Sequence, residues 1–247
     1  MSLLAGAFVV LAAFVTATVS GVLGMAGGLL LMGALLVVLP ATTAFVAHGL
    51  LQLVSNGWRV VLHRRHVSGR ILTWYAVGSL TAAALLAAVS YVPSKPLTYL
   101  FLGLVPLLVW LPKGLLRLDA SRPAHAVAAG LVVTSVNLVA GVAGPLLDVF
   151  FVRTSLGRHA VVATKAATQV LSHTAKVVLY GGPLLAGDGA ADLPVLVLVL
   201  AVPLSMLGTY AGGRLLDRLS DASFRTATRW VVSAVGVTYL VQAARLA

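Results

Sequence analysis

Two stretches of this otherwise apolar chain carry the same polar spacing. In "AHGLLQLVSNGWR" (residues 47–59) the polar positions are His48, Gln52, Ser55, Asn56 and Arg59. In "TKAATQVLSHTAK" (164–176) they are Lys165, Gln169, Ser172, His173 and Lys176. Both sets follow i, i+4, i+7, i+8, i+11, which is one face of a helix. Amides, imidazoles and cations on such a face offer hydrogen-bond donors and positive charge, with no carboxylate among them. Ionisable groups deep in an apolar helix are costly and by default mark a pathway or a ligand site. Ser55 and Ser172 have a plainer use, as hydrogen bonds between helices.

A second feature pairs with the first. "GVLGMAGGLLLMG" (21–33) places Gly21, Gly24, Gly27 and Gly28 close together, and each costs up to about 1 kcal/mol in a helix interior. A degraded copy, "AGVAGP" (140–145), holds Gly141, Gly144 and Pro145. Aligned on these breaks, Gln52 meets Gln169, Ser55 meets Ser172, Asn56 meets His173, His48 meets Lys165 and Arg59 meets Lys176. Half-helices starting near Met25 and Leu146 would aim free N–H groups and positive dipole ends into the gap, where an anion binds readily. Asp148 stands four residues past the second break. It reads as an ion-pair partner of Lys165, Lys176 or Arg153, or as a proton carrier together with His173. Asn137 reads as a backbone cap, and His63 and His66 as surface residues of a basic loop.

The elements that carry these residues follow from hydropathy. Of 247 residues, 60% are hydrophobic and 9% charged, against about 25% charged in a soluble domain. The chain is read as a polytopic membrane protein. Apolar segments fall at about 2–39, 41–62, 71–90, 97–112, 124–152, 159–180, 193–212 and 226–244. A continuous helix over the first would run about 57 Å, nearly twice the roughly 30 Å hydrocarbon core. It must break, and the glycines are where. The second long segment breaks at "AGVAGP". Mid-chain, that segment cannot be a signal peptide, and the N-terminal one lacks a basic n-region, so both are kept as structure.

Charge sets the relative orientation. The loop "HRRHVSGR" (63–70) is strongly basic, while its counterpart "GGPLLAGDGAAD" (181–192) has two Asp and no Lys or Arg. "SYVPSKP" (90–96) has one Lys, whereas "GGRLLDRLSDASFRTATR" (212–229) has four Arg. Opposite asymmetry in the two halves makes an inverted repeat with both termini outside. Of the 17 basic residues, all but Lys95, Lys165, Lys176 and Arg245 then fall on the cytoplasmic side or its interface. The net charge of +11 is thus a lipid-headgroup feature and gives no reason to invoke nucleic acid. The short arms after the breaks favour a hairpin that dips and returns over one that crosses twice.

There are no cysteines, which excludes disulfide and thiolate chemistry. The six acids are all Asp, and the chain has no G-x-S-x-G, H-E-x-x-H or P-loop. No enzyme, cofactor or metal site is indicated.

The chain resembles the TauE/SafE sulfite exporter family. The likeness rests on "SGVLGMAGGLLLMGALLVVLP" (20–40), "ATKAATQVLSHTAKVVLYG" (163–181) and "GTYAGGRLLDRLSDASFRTATRWVVSAVG" (208–236), in the family's order and spacing. It implies a membrane transporter for sulfite, organosulfonates or related sulfur anions. The second turn, "GVAGPLLD", lacks the family's fuller glycine run, so the two half-sites differ.

The expected architecture is all-α and polytopic, with two inverted repeats, each a Gly-broken helical hairpin plus three transmembrane helices. One membrane transport domain spans 1–247, with repeat 1 at about 1–112 and repeat 2 at about 121–247. The expected function is secondary transport of a small oxyanion through a midplane site at the repeat interface. An anion channel-like pore and a non-transporting scaffold or assembly factor are the competing classes. The expected lining is Gly24, Met25, Ala26, Gly27, Gly28, Gln52, Asn56, Gly144, Leu146, Leu147, Lys165, Gln169 and His173, with Asp148 and His173 for proton coupling. The partners are the anion and membrane lipids in the cytoplasmic membrane, with a homodimer left open. A cysteine introduced within 64–70 should be labelled only from the cytoplasm, and one within 185–190 only from outside. Labelling of both from the same side would rule out inversion.

Overall fold

The computed structural model describes residues 2–23, 26–110, 117–186, 194–216 and 221–246. These form α1 (Leu3–Leu23), α2 (Ala26–Val38), α3 (Ala41–His63), α4 (Gly69–Ala88), α5 (Lys95–Leu104), α6 (Pro123–Ala140), α7 (Gly144–Phe151), α8 (Arg158–Ala186), α9 (Val195–Leu216) and α10 (Asp221–Leu246). Short 3₁₀ turns lie at Arg64–His66 and Val105–Trp110, and the described residues contain no strand. α1, α4, α6 and α9 are long and apolar enough to cross a membrane. α3 and α8, at 23 and 29 residues, are long enough too but carry the polar stripes. Outward faces are apolar: Leu80, Val178 and Leu196 are each at least 70% exposed, which lipid accommodates and water would not.

Both long apolar segments break where the glycines lie. α1 stops at Leu23 and α2 begins at Ala26, folding back so that Gly27 presses on the Thr16 carbonyl and on Ser20. α6 ends at Gly141, whose φ of 81° is the left-handed conformation that glycine adopts without penalty. α7 starts three residues later with Pro145 in its first turn. Its far end returns to the start of α6, where the Ala120 N–H donates to the Phe150 carbonyl at 2.9 Å. The chain doubles back at each break.

The packing is reciprocal. α1 pairs with α9, α6 with α4, α3 with α8 and α5 with α10. In α1 and α9, Phe14 meets Gly208 and Thr18 meets Gly212, so the two run parallel. In α4 and α6, Tyr75 meets Gly130 and Ser79 meets Thr134, again parallel. The other two pairs are antiparallel. Phe45 meets Tyr180 while His48 meets Lys176, and Tyr99 meets Tyr239 while Pro106 meets Gly236. Exchanging α1–α5 for α6–α10 in order maps every one of these pairs onto another or onto itself.

Two boundaries depart from the hydropathy reading. α8 continues through Gly181, Gly182 and Pro183 to Ala186, where a loop is expected. Tyr180 and Leu184 are buried against the core beside Phe45, and that packing carries the helix past its proline. The segment at 97–112 instead tightens into a 3₁₀ turn from Val105, where Pro106 has no N–H to continue the α-helical ladder.

Small residues set the closest approaches. A Cβ on Gly130 would strike the Tyr75 carbonyl of α4, whereas one on Gly213 would meet nothing within 4 Å. Gly130→Ala should therefore cost about 1–3 kcal/mol, seen as a lower unfolding midpoint in detergent. Gly213→Ala should be neutral or slightly stabilising. Equal midpoints for the two variants would refute this account of the α4–α6 contact.

Candidate functional site

The stripes of α3 and α8 face one another because the helices run antiparallel, so Gln52 and Asn56 come level with His173 and Gln169. Between them lies a cavity of about 30 Å³ lined by Ser20, Gly28, His48, Gln52, Asn56, Val142, Gly144, Gln169 and His173. By the usual measure this holds about two waters, a space on the scale of one small oxyanion. The N-terminal turns of both short helices reach it, α2 through Gly28 and α7 through Gly144. A smaller void of about 10 Å³ adjoins it, lined in part by Thr16, Ser20, Gly27, Gln52 and Ser55.

One end of the cavity is closed by His48, with Lys176 behind it. The His48 Nε2–H donates to the Gly28 carbonyl at 3.0 Å, which leaves Nδ1 as an acceptor. Lys176 Nζ donates to that Nδ1 at 3.0 Å and to the Gly141 carbonyl at 2.6 Å. It also lies 5.5 Å from the centre of the Phe45 ring. Lys176 has no exposed surface, and its described partners are all neutral. A buried ammonium without a counter-charge is costly.

The walls are rich in donors. Asn56 Nδ2 donates to the Gln52 carbonyl and to Gln52 Oε1, at 3.0 and 3.2 Å. Gln169 Nε2 is buried with no hydrogen-bond partner. His173 Nδ1 lies 3.5 Å from Asn137 Nδ2, a long contact, and its ring stands 5.4 Å from that of His48. No carboxylate lines the cavity.

Of the residues expected from sequence, Gly28, Gln52, Asn56, Gly144, Gln169 and His173 line this cavity. Gly24 and Met25 lie outside the described residues. Gly27 lines the smaller void, and Ala26 is buried in the core with Leu29 and Met32. Leu147 is buried with Tyr75, Val133 and Phe150, and Leu146 packs on that cluster, so α7 presents only its first residue to the cavity. Lys165 is drawn away from the cavity into an ion pair with Asp148. Asp148 is 46% exposed in its side chain and does not reach His173's wall either. Ser55 and Ser172 join helices. Ser55 Oγ lies 2.9 Å from Thr209 Oγ1, and Ser172 Oγ lies 2.7 Å from Tyr75 OH and 2.9 Å from Thr134 Oγ1. Gly21 is a packing residue, set against Gly212.

Missing from the lining expected from sequence are His48, which lines the cavity, and Lys176, which backs it. Both were already in the stripes. What hid them is that alignment matched His48 to Lys165 and Lys176 to Arg59, whereas antiparallel packing brings His48 to Lys176.

A family model described as Sulfite exporter TauE/SafE matches residues 9–239. The chain belongs to this family. No curated protein and no solved structure matches it. As a TauE/SafE chain it is a multi-pass membrane protein of a transporter family, consistent with its apolar helices.

The Lys165–Asp148 pair is half-open, with side-chain exposures of 21% and 46%. Such pairs contribute about 0–1 kcal/mol. Lys165→Gln, Asp148→Asn and the double variant should all unfold within that margin of the parent. A loss well beyond it in either single, restored in the double, would show a buried pair instead.

Proposed function

We propose that this TauE/SafE chain is a secondary transporter of a small sulfur-containing oxyanion, with sulfite the best candidate, across the cytoplasmic membrane. The anion would sit in the cavity between α3 and α8. The observation that carries this reading is Lys176, fully buried, without a carboxylate partner, and one side chain behind the cavity wall. A bound oxyanion balances its charge through His48. The Gln169 amide, left without a partner, adds a donor, and the first turns of α2 and α7 reach the cavity at Gly28 and Gly144. A volume of about 30 Å³ suits sulfite better than taurine or sulfoacetate, which would need the walls to part. No nucleotide-binding motif occurs, so transport draws on a gradient, and His173 is the lining group suited to carry a proton.

The repeats, about 1–112 and 121–247, are read as inverted, with both termini outside the cytoplasm. Reciprocal helix pairing supports this, and so do the antiparallel runs of α3 with α8 and α5 with α10. Inverted repeats with broken helices meeting at midplane are the usual construction of a transporter's central site.

The test is binding by purified protein of sulfite, sulfate, thiosulfate, taurine and sulfoacetate, with saturable uptake in liposomes to separate carrier from pore. Lys176→Gln should weaken sulfite binding by about 10- to 150-fold, the value of a hydrogen bond to a charged group, in protein that still unfolds cooperatively. Lys165→Gln should leave affinity unchanged. Folded Lys176→Gln protein with parental affinity would place the anion elsewhere.

A further inference from the structure

The two stripes each end in a cation, Arg59 on α3 and Lys176 on α8. Because the helices are antiparallel, these ends point opposite ways. Arg59 stands eleven residues beyond His48, the residue that touches Lys176. At about 1.5 Å per residue that is about 16 Å along the helix. The cavity therefore lies between two cations, one toward each end.

They are satisfied differently. Lys176 holds two acceptors and an aromatic face. Arg59 has one described contact, NH1 to Asn56 Oδ1 at 3.3 Å, while its NH2 is buried with no hydrogen-bond partner. Among the described residues no carboxylate pairs with it; the ion pair described is Lys165–Asp148. A guanidinium is always charged and presents its N–H groups as a planar fork. A buried, empty prong of that fork is costly unless something fills it. The side chain is partly exposed, as a snorkelling one is, but its NH2 is buried within protein.

The surroundings give the contact a direction. Asn56 joins Arg59 to the cavity, accepting from NH1 and donating to Gln52. Toward the basic loop, His63, His66 and His159 stack with ring centres 5.4–5.9 Å apart, and Arg64 and Arg65 follow, both exposed. Partial burial, then the neighbouring His159, His66 and Arg59, hold His63 below its ordinary pKa, so Arg59 is felt electrostatically at the loop as well.

We propose that Arg59 is a second oxyanion station, between the basic loop at 63–70 and the cavity, exchanging the anion with the cavity past Asn56. The proposal rests on the oxyanion-transport reading. It adds a site that reading does not require: a carrier could load its cavity directly.

The test uses the full chain, sulfite as probe, and two variants, Arg59→Gln and Arg59→Lys. Equilibrium sulfite affinity in detergent reports the cavity. Radiolabelled sulfite uptake into liposomes, measured from the side bearing residues 64–70, reports the station. Arg59→Gln should lose about tenfold or more in uptake, the scale of one charge-assisted hydrogen bond, while cavity affinity stays within about threefold. Arg59→Lys keeps the charge but not the fork, and should fall between, with its half-saturating sulfite concentration raised about three- to tenfold. If Arg59→Gln does not unfold cooperatively, Arg59→Lys decides alone. Uptake by Arg59→Lys equal to the parent overturns the station. So does an Arg59→Gln variant that loses affinity and uptake in the same proportion, since that places Arg59 in the cavity itself. Parent protein that neither binds nor takes up sulfite, sulfate or thiosulfate overturns the transport reading, and this proposal with it.

Discussion

A lysine with no exposed surface and no carboxylate partner among the described residues is the constraint around which this structure is arranged. Lys176 needs acceptors, and the fold supplies them from two places. One is His48 on α3, held in the accepting tautomer by the Gly28 carbonyl at the start of α2. The other is the carbonyl of Gly141, freed because α6 ends there in a left-handed turn. The helix break and the buried cation are thus parts of one arrangement. The break exposes a carbonyl that an unbroken helix would have consumed, and the lysine satisfies it. Both breaks, through Gly28 and Gly141, are tied to the same side chain.

Around that centre the two halves are fastened in matching ways. α3 is joined to α9 through Ser55 and Thr209, and α8 to α4 through Ser172 and Tyr75. α1 meets α9 at Gly21, Gly208 and Gly212, and α6 meets α4 at Gly130 and Gly78. In lipid there is no hydrophobic drive between helices, so close approach of small residues and hydrogen bonds between helices supply the association. The outer pairs are apolar and glycine-packed, which leaves the polar stripes of α3 and α8 to face inward on each other. A donor-rich cavity in a hydrophobic protein follows from that division.

Symmetry is imperfect where chemistry would need it to be. The first break carries Gly27 and Gly28 at the start of a 13-residue helix, while the second carries Gly144 and Pro145 at the start of an 8-residue one. The stripe cations differ as well. Lys176 donates to two acceptors at one end of the cavity, whereas Arg59 keeps an empty prong at the other.

The sequence by itself determined the membrane class, the positions of the two breaks and the faces that carry polar groups. Each follows from local physics: hydropathy over about 20 residues, the poor helix propensity of clustered glycine, and helical periodicity. It also placed six of the lining residues, four because a stripe on a helix that crosses lipid must face protein, and Gly28 and Gly144 because they stand at the breaks. Only the tertiary structure decided how the stripes meet. Antiparallel packing of α3 and α8 sets His48 against Lys176, whereas alignment of the repeats pairs His48 with Lys165. Which lysine stands behind the cavity wall was likewise not legible. Asp148 lies seventeen residues from Lys165 in sequence, and its reach to Lys165 instead of Lys176 depends on how the short α7 returns to the start of α6. Spacing along one helix fixes which residues share a face. The partner of a charge on that face is fixed by the direction and depth of a neighbouring helix, and those are properties of the assembled bundle alone.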